Sequence, residues 1–287
     1  YCLTMGRGLV LGFFDGVHKA HRAVIKSALN YTDEITLITF KDSPSVYFTG
    51  KAEYILPREE SIRKIKSLGV ENVIELDFSK IAKMASDEYL DYLITTYEPI
   101  CISTGFNHTF GANKTGNSKM LSLNSKKYNY KYICTPPVIE DNEVVSSSLI
   151  KDYLRIGEIE KVNFLLESNF FIEGEVIHGA KVGRTIGFPT ANIKYPANIV
   201  RLPFGVYYAK LQLNGNNKRA VMNWGMKPTL NNVLEPVVEV HILDYTGDLY
   251  GKNIKVEIIK RIRGEEKFNS LDELKKQIKK DIEVCLM

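Results

Sequence analysis

Two stretches of this chain combine residue types and spacings that suit phosphate chemistry. The first is Gly12-Phe-Phe-Asp-Gly-Val-His-Lys-Ala-His21, which runs from an apolar segment through a glycine-bearing turn into a helical pattern. His18 and His21, three apart at a helix start, share one face, and the helix dipole there favours anions. Imidazole donors in that place can hold the α- and β-phosphates of ATP and stabilise charge developing on them. Spacing alone fits surface or capping histidines at least as well.

The second is Gly174-Glu-Val-Ile-His-Gly-Ala-Lys-Val-Gly-Arg-Thr-Ile-Gly-Phe-Pro-Thr-Ala-Asn192. Gly179, Gly183 and Gly187 let backbone amides approach a ligand, and Lys181 and Arg184 supply charge for phosphates. No Gly-Lys-Ser/Thr follows, so this is not a Walker loop. Taken only as residues, a glycine-rich hairpin of a β domain explains it too. Thr190 and Asn192 either shape a turn or offer hard oxygens beside phosphate, which suits Mg²⁺. Further on, Val238-Glu-Val-His-Ile-Leu-Asp244 alternates, with Glu239 and His241 on one face and Val238, Val240 and Ile242 on the other. A carboxylate on a ligand-facing strand can accept the proton of a substrate hydroxyl. An exposed strand glutamate is the plain alternative. His241 reads as a structural neighbour, His108 and His178 as surface or loop residues, and Trp224 as core.

The elements that must position these groups follow two rhythms. Strands are expected at residues 8–13, 34–40, 72–76, 99–103 and 130–134, with helices at 21–29, 58–68 and 87–95 between them. That alternation implies βαβ units and a parallel, Rossmann-like sheet, whose ligands bind at the carboxyl ends of the strands. Residues 146–166 read as helical connecting material. Beyond 170 the chain changes to short β-branched strands at 205–213, 219–224, 237–243 and 254–261, the pattern of a small antiparallel barrel. Leu213-Asn-Gly-Asn-Asn217 is a hairpin turn. A closing helix is marked by a capping box at Ser270 and Glu273 and by Leu271, Leu274, Ile278 and Ile282 at helical spacing. The expected domains are 1–165 and 166–287.

Composition narrows the class. The chain has 287 residues, 44% hydrophobic and 25% charged, the balance of a folded protein. No apolar run approaches the ~18 residues of a membrane span, so no membrane partner is expected. The cysteines at 2, 101, 134 and 285 form no Cys-x-x-Cys pair, which argues for reduced thiols and a cytoplasmic location. Net charge is +4, too modest to imply a nucleic-acid partner. Residues 1–168 carry 20 basic and 21 acidic groups against 18 and 13 in 169–287, so the second part is the basic one.

The first constellation resembles the Gly-x-Phe-Asp-Gly-Val-His-x-Gly-His signature of the adenylyltransferase half of prokaryotic bifunctional riboflavin kinase/FMN adenylyltransferases. Thr104-Gly-Phe-Asn-His-Thr-Phe-Gly111 is similar to that family's Gly-x-Asp-Phe-x-Phe-Gly loop, and Ser146-Ser-Ser-Leu-Ile-Lys151 to its Ser-Ser-Thr-x-Ile-Arg segment. The second constellation resembles the riboflavin kinase signature, with Gly-Phe-Pro-Thr-Ala-Asn192 intact. Pro203-Phe-Gly-Val-Tyr207, Asn223-Trp-Gly-Met-Lys-Pro-Thr229, Asp248-Leu-Tyr-Gly-Lys252 and Arg263-Gly-Glu-Glu-Lys-Phe268 agree in order.

This resemblance implies an α/β nucleotidyltransferase-type domain followed by a kinase barrel with a terminal helix. It implies riboflavin, FMN and ATP as partners and Mg²⁺ as cofactor. Nucleotide contacts are then expected from Gly12, Phe13, Asp15, Gly16, Ser146, Ser147, Ser148, Lys151, Gly179, Lys181, Gly183, Arg184, Gly187 and Pro189. Flavin contacts are expected from Asn107, Phe110, Arg263, Glu266 and Phe268, metal contacts from Thr190 and Asn192, and catalysis from His18, His21 and Glu239. Four positions depart from the pattern: Ala20 stands at a glycine, Asn107 at an aspartate, and Lys151 and Ser168 at arginines. A kinase carrying an inert first domain is therefore the rival reading, and a flavin-binding protein without turnover a remoter one.

Overall fold

The computed structural model describes residues 5–179, 182–228 and 234–286. The chain divides into two compact units, residues 1–149 and 150–287. The contacts thus place most of the helical connector with the second unit.

In the first unit β1 (Gly8–Leu11), α1 (Lys19–Leu29), β2 (Ile35–Phe40), α2 (Pro44–Thr49), α3 (Arg58–Ser67), β3 (Asn72–Leu76) and α4 (Phe78–Ile81) follow one another. They are succeeded by α5 (Ser86–Tyr97), β4 (Cys101–Gly105), β5 (Thr109–Phe110), β6 (Gly116–Asn117), α6 (Ser118–Asn124), β7 (Lys131–Thr135), β8 (Ile139–Glu140) and β9 (Glu143–Val144). The main sheet has the order β3-β2-β1-β4-β7 and every pairing in it is parallel. Leu9 and Leu11 pack into one apolar cluster and Val10 into another, so β1 is buried on both faces. That double burial is why it reads as an unbroken apolar run. Strands first add on one side of β1 and then on the other. The order reverses there, leaving a crevice at the carboxyl ends of β1 and β4.

The first strand ends at Leu11 rather than at 13, because Gly12 leaves the sheet for a 3₁₀ turn at Asp15–Val17. The strand expected at 99–103 lies at Cys101–Gly105, past Pro99, which has no N–H for a ladder. The short helices α2, α4 and α6 have too few turns to show a period in sequence.

Helix α7 (Ser147–Ile156) spans the boundary between the units, and α8 (Ile159–Leu166) follows. The second unit continues with β10 (Phe170–Ile177), α9 (Val182–Thr185), β11 (Ala191–Ile193), β12 (Gly205–Leu213), β13 (Asn216–Pro228), β14 (Leu234–Ile242), β15 (Asn253–Arg263) and α10 (Leu271–Leu286). Antiparallel pairing closes a barrel in the order β10-β11-β14-β13-β12-β15. Its strands run longer than their apolar cores, since ladder bonds continue into polar flanks that a hydrophobicity pattern does not mark.

Val176, Ile193, Val238 and Val256 are among the residues buried in this unit, and Trp224 is 1% exposed. Its indole N–H donates to the Leu202 carbonyl at 3.0 Å. Leu213 pairs with Asn216 across a two-residue turn whose Asn214 and Gly215 both have positive φ, 50° and 79°. That combination matches the twist of a tight hairpin. At the start of α10 the Glu273 N–H donates to Ser270 Oγ, while the Glu273 carboxylate reaches back to the Asn269 N–H, one residue earlier than a standard capping box.

Candidate active sites

The crevice beside β1 and β4 holds a polar cavity of about 370 Å³. Gly12, Phe13, His18, Ala20 and His21 line it from the β1 side, and Gly105, Asn107 and His108 from the β4 side. Ser146 and Ser147 bring in the start of α7. Ser146 Oγ accepts the Leu149 N–H at 3.2 Å and so caps that helix. The cavity therefore receives the amino ends of α1 and α7, both of which favour anions.

His18 occupies the N-cap position of α1, yet its ring makes no cap bond. It is 2% exposed and stacks on His21, with ring centroids 3.6 Å apart. Phe14 packs on the His21 ring at 4.9 Å. Ser147 Oγ lies 3.2 Å from His18 Nε2 and 3.2 Å from the Asp15 carbonyl. A carbonyl only accepts, so the serine proton goes to Asp15 and the His18 Nε2–H donates to Ser147. This leaves the lone pair of neutral His18 on Nδ1.

Nδ1 of His18 and Nδ1 of His21 are buried without a hydrogen-bond partner. Burial pushes His18 down to about 3 and holds His21 well below the usual histidine value, where the neighbouring His18 adds to the effect. Two imidazoles are thus kept neutral with unused nitrogens in a cavity fit for phosphate. An anion that supplies the missing charge would favour their protonated, donating form.

Asp15, Gly16 and Ser148 do not line this cavity. The Asp15 carboxylate accepts the Ile55 N–H at 2.9 Å and, with Gly16, builds the 3₁₀ turn. Ser148 is exposed, one helical step round from Ser147. Lys151 lies on the same helix one turn beyond Ser147. Arg58 supports the turn from below: it donates to the Phe13 carbonyl at 3.0 Å and to Thr39 Oγ1 at 2.8 Å, and it pairs with Glu75 at 2.9 Å.

A second, apolar cavity of about 450 Å³ adjoins in the same unit. Phe40, Phe48, Phe78, Tyr89 and Phe110 contribute aromatic walls. Phe110 lies against Gly116, where an added Cβ would sit 2.4 Å from the ring. Leu11, Gly12, Phe40, Pro44, His108 and Thr109 line both cavities. Sequence reasoning missed His108, which reads as a loop residue because it follows a strand end with no periodic pattern.

On the barrel, Glu239 of β14 pairs with Asn192 of β11 on one side and Asn223 of β13 on the other. Cross-strand partners share a face, so the carboxylate sits between two amides. Asn192 is 7% exposed, and an added Cβ at Gly179 would lie 2.4 Å from its amide nitrogen. The chain after β10 thus rides directly over Asn192. The Phe188 N–H closes on the Gly183 carbonyl at 2.8 Å, and the His241 Nδ1–H donates to the Pro189 carbonyl at 2.8 Å. Gly187 lies in the turn after α9. Pro189 and Thr190 line a cavity of about 480 Å³ with Val176, Tyr245, Asp248 and Tyr250, and the His178 ring packs on Tyr250 with centroids 4.0 Å apart. Lys181 and the side chain of Arg184 lie outside the described residues.

Arg263, Glu266 and Phe268 come together beyond β15, with Arg263 3.8 Å from the Glu266 carboxylate and 5.8 Å from the Phe268 ring. The Arg263 fork, however, is taken by buried Asp281 of α10, at 3.1 Å from Nε and 2.8 Å from Nη2. Gln277 donates to the same carboxylate at 3.0 Å. The Arg263 side chain thus forms a strut between β15 and the terminal helix. Among the described residues no group of three or more His, Cys, Asp or Glu is placed to hold a metal ion.

Comparison with known proteins gives a consistent result. Residues 166–286 match the riboflavin kinase family model and residues 4–149 the FAD synthetase family model. A bifunctional riboflavin kinase/FMN adenylyltransferase from Bacillus subtilis (strain 168) is 36% identical over 286 residues, covering 95% of this chain and 89% of the relative. One from Haemophilus influenzae is 33% identical over 299 residues, covering 99% and 94%. A solved structure described as a macrolide-efflux protein from Streptococcus pneumoniae aligns at a TM-score of 0.88 and 32% identity, covering 98% of this chain and 94% of that one. Among the described residues of the present chain no helix is long and apolar enough to cross a membrane.

Proposed function

The chain belongs to the bifunctional riboflavin kinase/FMN adenylyltransferase family, and from that premise we propose which residues carry each reaction. It phosphorylates riboflavin to FMN and adenylylates FMN to FAD, with ATP as the co-substrate. The division of labour is assigned to 1–165 for adenylyl transfer and 166–287 for the kinase. The free thiols of Cys101, Cys134 and Cys285 support a cytoplasmic setting.

In the barrel, Glu239 takes the proton of the ribityl 5′-hydroxyl as that oxygen attacks the γ-phosphorus of ATP. Amides of the 179–187 loop hold the phosphates, and His241 fixes the loop through Pro189. Thr190 and Asn192 offer hard oxygen donors beside that loop, which suits an Mg²⁺ ion arriving on ATP rather than a dedicated protein cage. When bound, such an ion neutralises charge on the β- and γ-phosphates. Glu266 and Phe268 cover the flavin, and Arg263 holds their segment through Asp281.

In the first unit, an FMN phosphate oxygen attacks the α-phosphorus of ATP. The bond to the bridging oxygen breaks and pyrophosphate leaves. The acceptor is already anionic, so the step needs no general base. His18, His21, Ser146, Ser147 and the two helix ends stabilise charge. The isoalloxazine ring rests in the aromatic cavity against Phe110, and Asn107 lines the wall near the phosphates.

The observation that carries the adenylyl-transfer assignment is the stacked histidine pair with two unused ring nitrogens at the switch point of the sheet. It also speaks against an inert first domain, because the cavity stays open with Ala20 in its wall. Incubation with riboflavin, ATP and Mg²⁺ followed by chromatographic separation of the flavins tests the reading. FMN and FAD together are expected; FMN alone would make the first domain a scaffold.

A further inference from the structure

His108 sits where the polar cavity meets the aromatic one, and it lines both. Its ring rests against Phe110 at 5.9 Å, and its Nε2 is buried with no hydrogen-bond partner. Burial alone depresses it to about 4, with no neighbouring charge contributing. A neutral imidazole carries one donor and one acceptor, and no described residue engages the buried Nε2. Such a group, left unsatisfied inside a site, needs an explanation. Packing does not supply one, since a phenyl ring would stack on Phe110 as well. The motif that this loop resembles has phenylalanine at this position and aspartate where Asn107 stands. The Asn107-His108 pair thus removes a carboxylate and adds a donor on the same wall.

Resting on the adenylyl-transfer reading above, we infer that His108 donates a hydrogen bond to the 5′-phosphate of FMN and places that acceptor for attack on ATP. The geometry supports this through position. The flavin ring belongs in the aromatic cavity and the nucleotide phosphates beside His18 and His21. The acceptor phosphate must then lie at the shared wall, where His108 is the residue with an unused ring nitrogen. His108 therefore selects the phosphorylated flavin over riboflavin at this site.

Steady-state FAD formation by the full chain, with FMN and ATP varied separately, tests the inference. His108→Phe keeps the ring and deletes the donor. It is expected to lower kcat/KM for FMN roughly ten- to hundred-fold, as loss of a hydrogen bond to a charged group does. The KM for ATP in FAD formation and the melting of the first unit, which monitor folding around His108, should stay within about two-fold and a few degrees, and riboflavin phosphorylation by the barrel should not change. His108→Gln restores an N–H and should recover part of the loss. A His108→Phe protein with an unchanged kcat/KM for FMN overturns the inference. So does His108→Gln no better than His108→Phe with kinase activity intact. Absence of FAD from FMN with the unsubstituted chain would instead sink the adenylyl-transfer reading, and this inference with it.

Discussion

The wall of the first unit's polar cavity holds three histidines and, among the described residues, no carboxylate, whereas the barrel sets Glu239 between Asn192 and Asn223 on one strand face. The two reactions differ in the same way. Adenylyl transfer begins from an acceptor that is already a phosphate anion, so donors and helix ends suffice and a carboxylate would repel. The kinase reaction begins from a neutral hydroxyl, so a base must take its proton. Burial does not follow that division: His18 is buried, whereas His21, His108 and Glu239 are all half-buried, Glu239 beside the loop that covers Asn192. On the proposed assignment, similar phosphate chemistry is built twice, with side chains suited to the acceptor.

Substitutions should separate the two. The largest effect is expected from Glu239→Gln, which removes the proposed base and should slow riboflavin phosphorylation by roughly 10²–10⁴-fold. Conversion of added FMN to FAD by that variant should be unchanged, and a comparable loss in both reactions would break the comparison. Next, His18→Asn should lower FAD formation by about 10²–10³-fold, the cost of a preorganised donor at developing charge, with FMN production intact.

A smaller effect is expected in the aromatic cavity. Gly116→Ala brings a methyl onto the Phe110 ring, and overpacking of this kind costs about 1–3 kcal/mol. Thermal unfolding of the first unit should fall and the KM for FMN in FAD formation should rise several-fold, while the barrel's transition stays in place. Equal shifts of both transitions would show that the two units do not melt independently.

The smallest effect concerns pH. Burial holds His18 at about 3, His108 at about 4 and His21 well below the ordinary value of 6.5. The unfolded chain binds protons that the folded first unit refuses, so the folded state loses stability as pH falls. The loss is absent above about 6.5 and grows as pH drops towards the folded values. Melting of the first unit at pH 7.5 and at pH 5 should show a decline at the lower pH, lessened in a His21→Phe protein. A first unit equally stable at both would contradict buried neutral histidines.

The parallel sheet was legible because short apolar runs recur between the helical periods of α1, α3 and α5. The barrel was legible because Gly, Asn and Pro turns punctuate β-branched runs. The placing of His18 and His21 at a helix start and of Glu239 on a strand was legible from local pattern, whereas the roles proposed for them and for Asn192 rested on the family resemblance, since spacing alone fits surface or turn residues too. The aromatic cavity was not. Three of its five aromatic walls, Phe48, Phe78 and Phe110, come from α2, α4 and β5, elements of two to six residues with no period to detect. His108 and His178 were passed over for the same reason, since their ring partners Phe110 and Tyr250 are set by folding rather than by spacing. The strut made by Arg263 was hidden too, because its partner Asp281 lies 18 residues on, in a helix whose docking the sequence does not specify.

Mixing two defective proteins would test the central claim most directly. Glu239→Gln given riboflavin, ATP and Mg²⁺ should form neither FMN nor FAD, and His18→Asn under the same conditions should stop at FMN. An equal mixture should make FAD, because FMN released by one protein can be adenylylated by the other. FAD from either variant alone at the unsubstituted rate, or an active pair of parents whose mixture makes none, would contradict two separate sites with these residues at their centres.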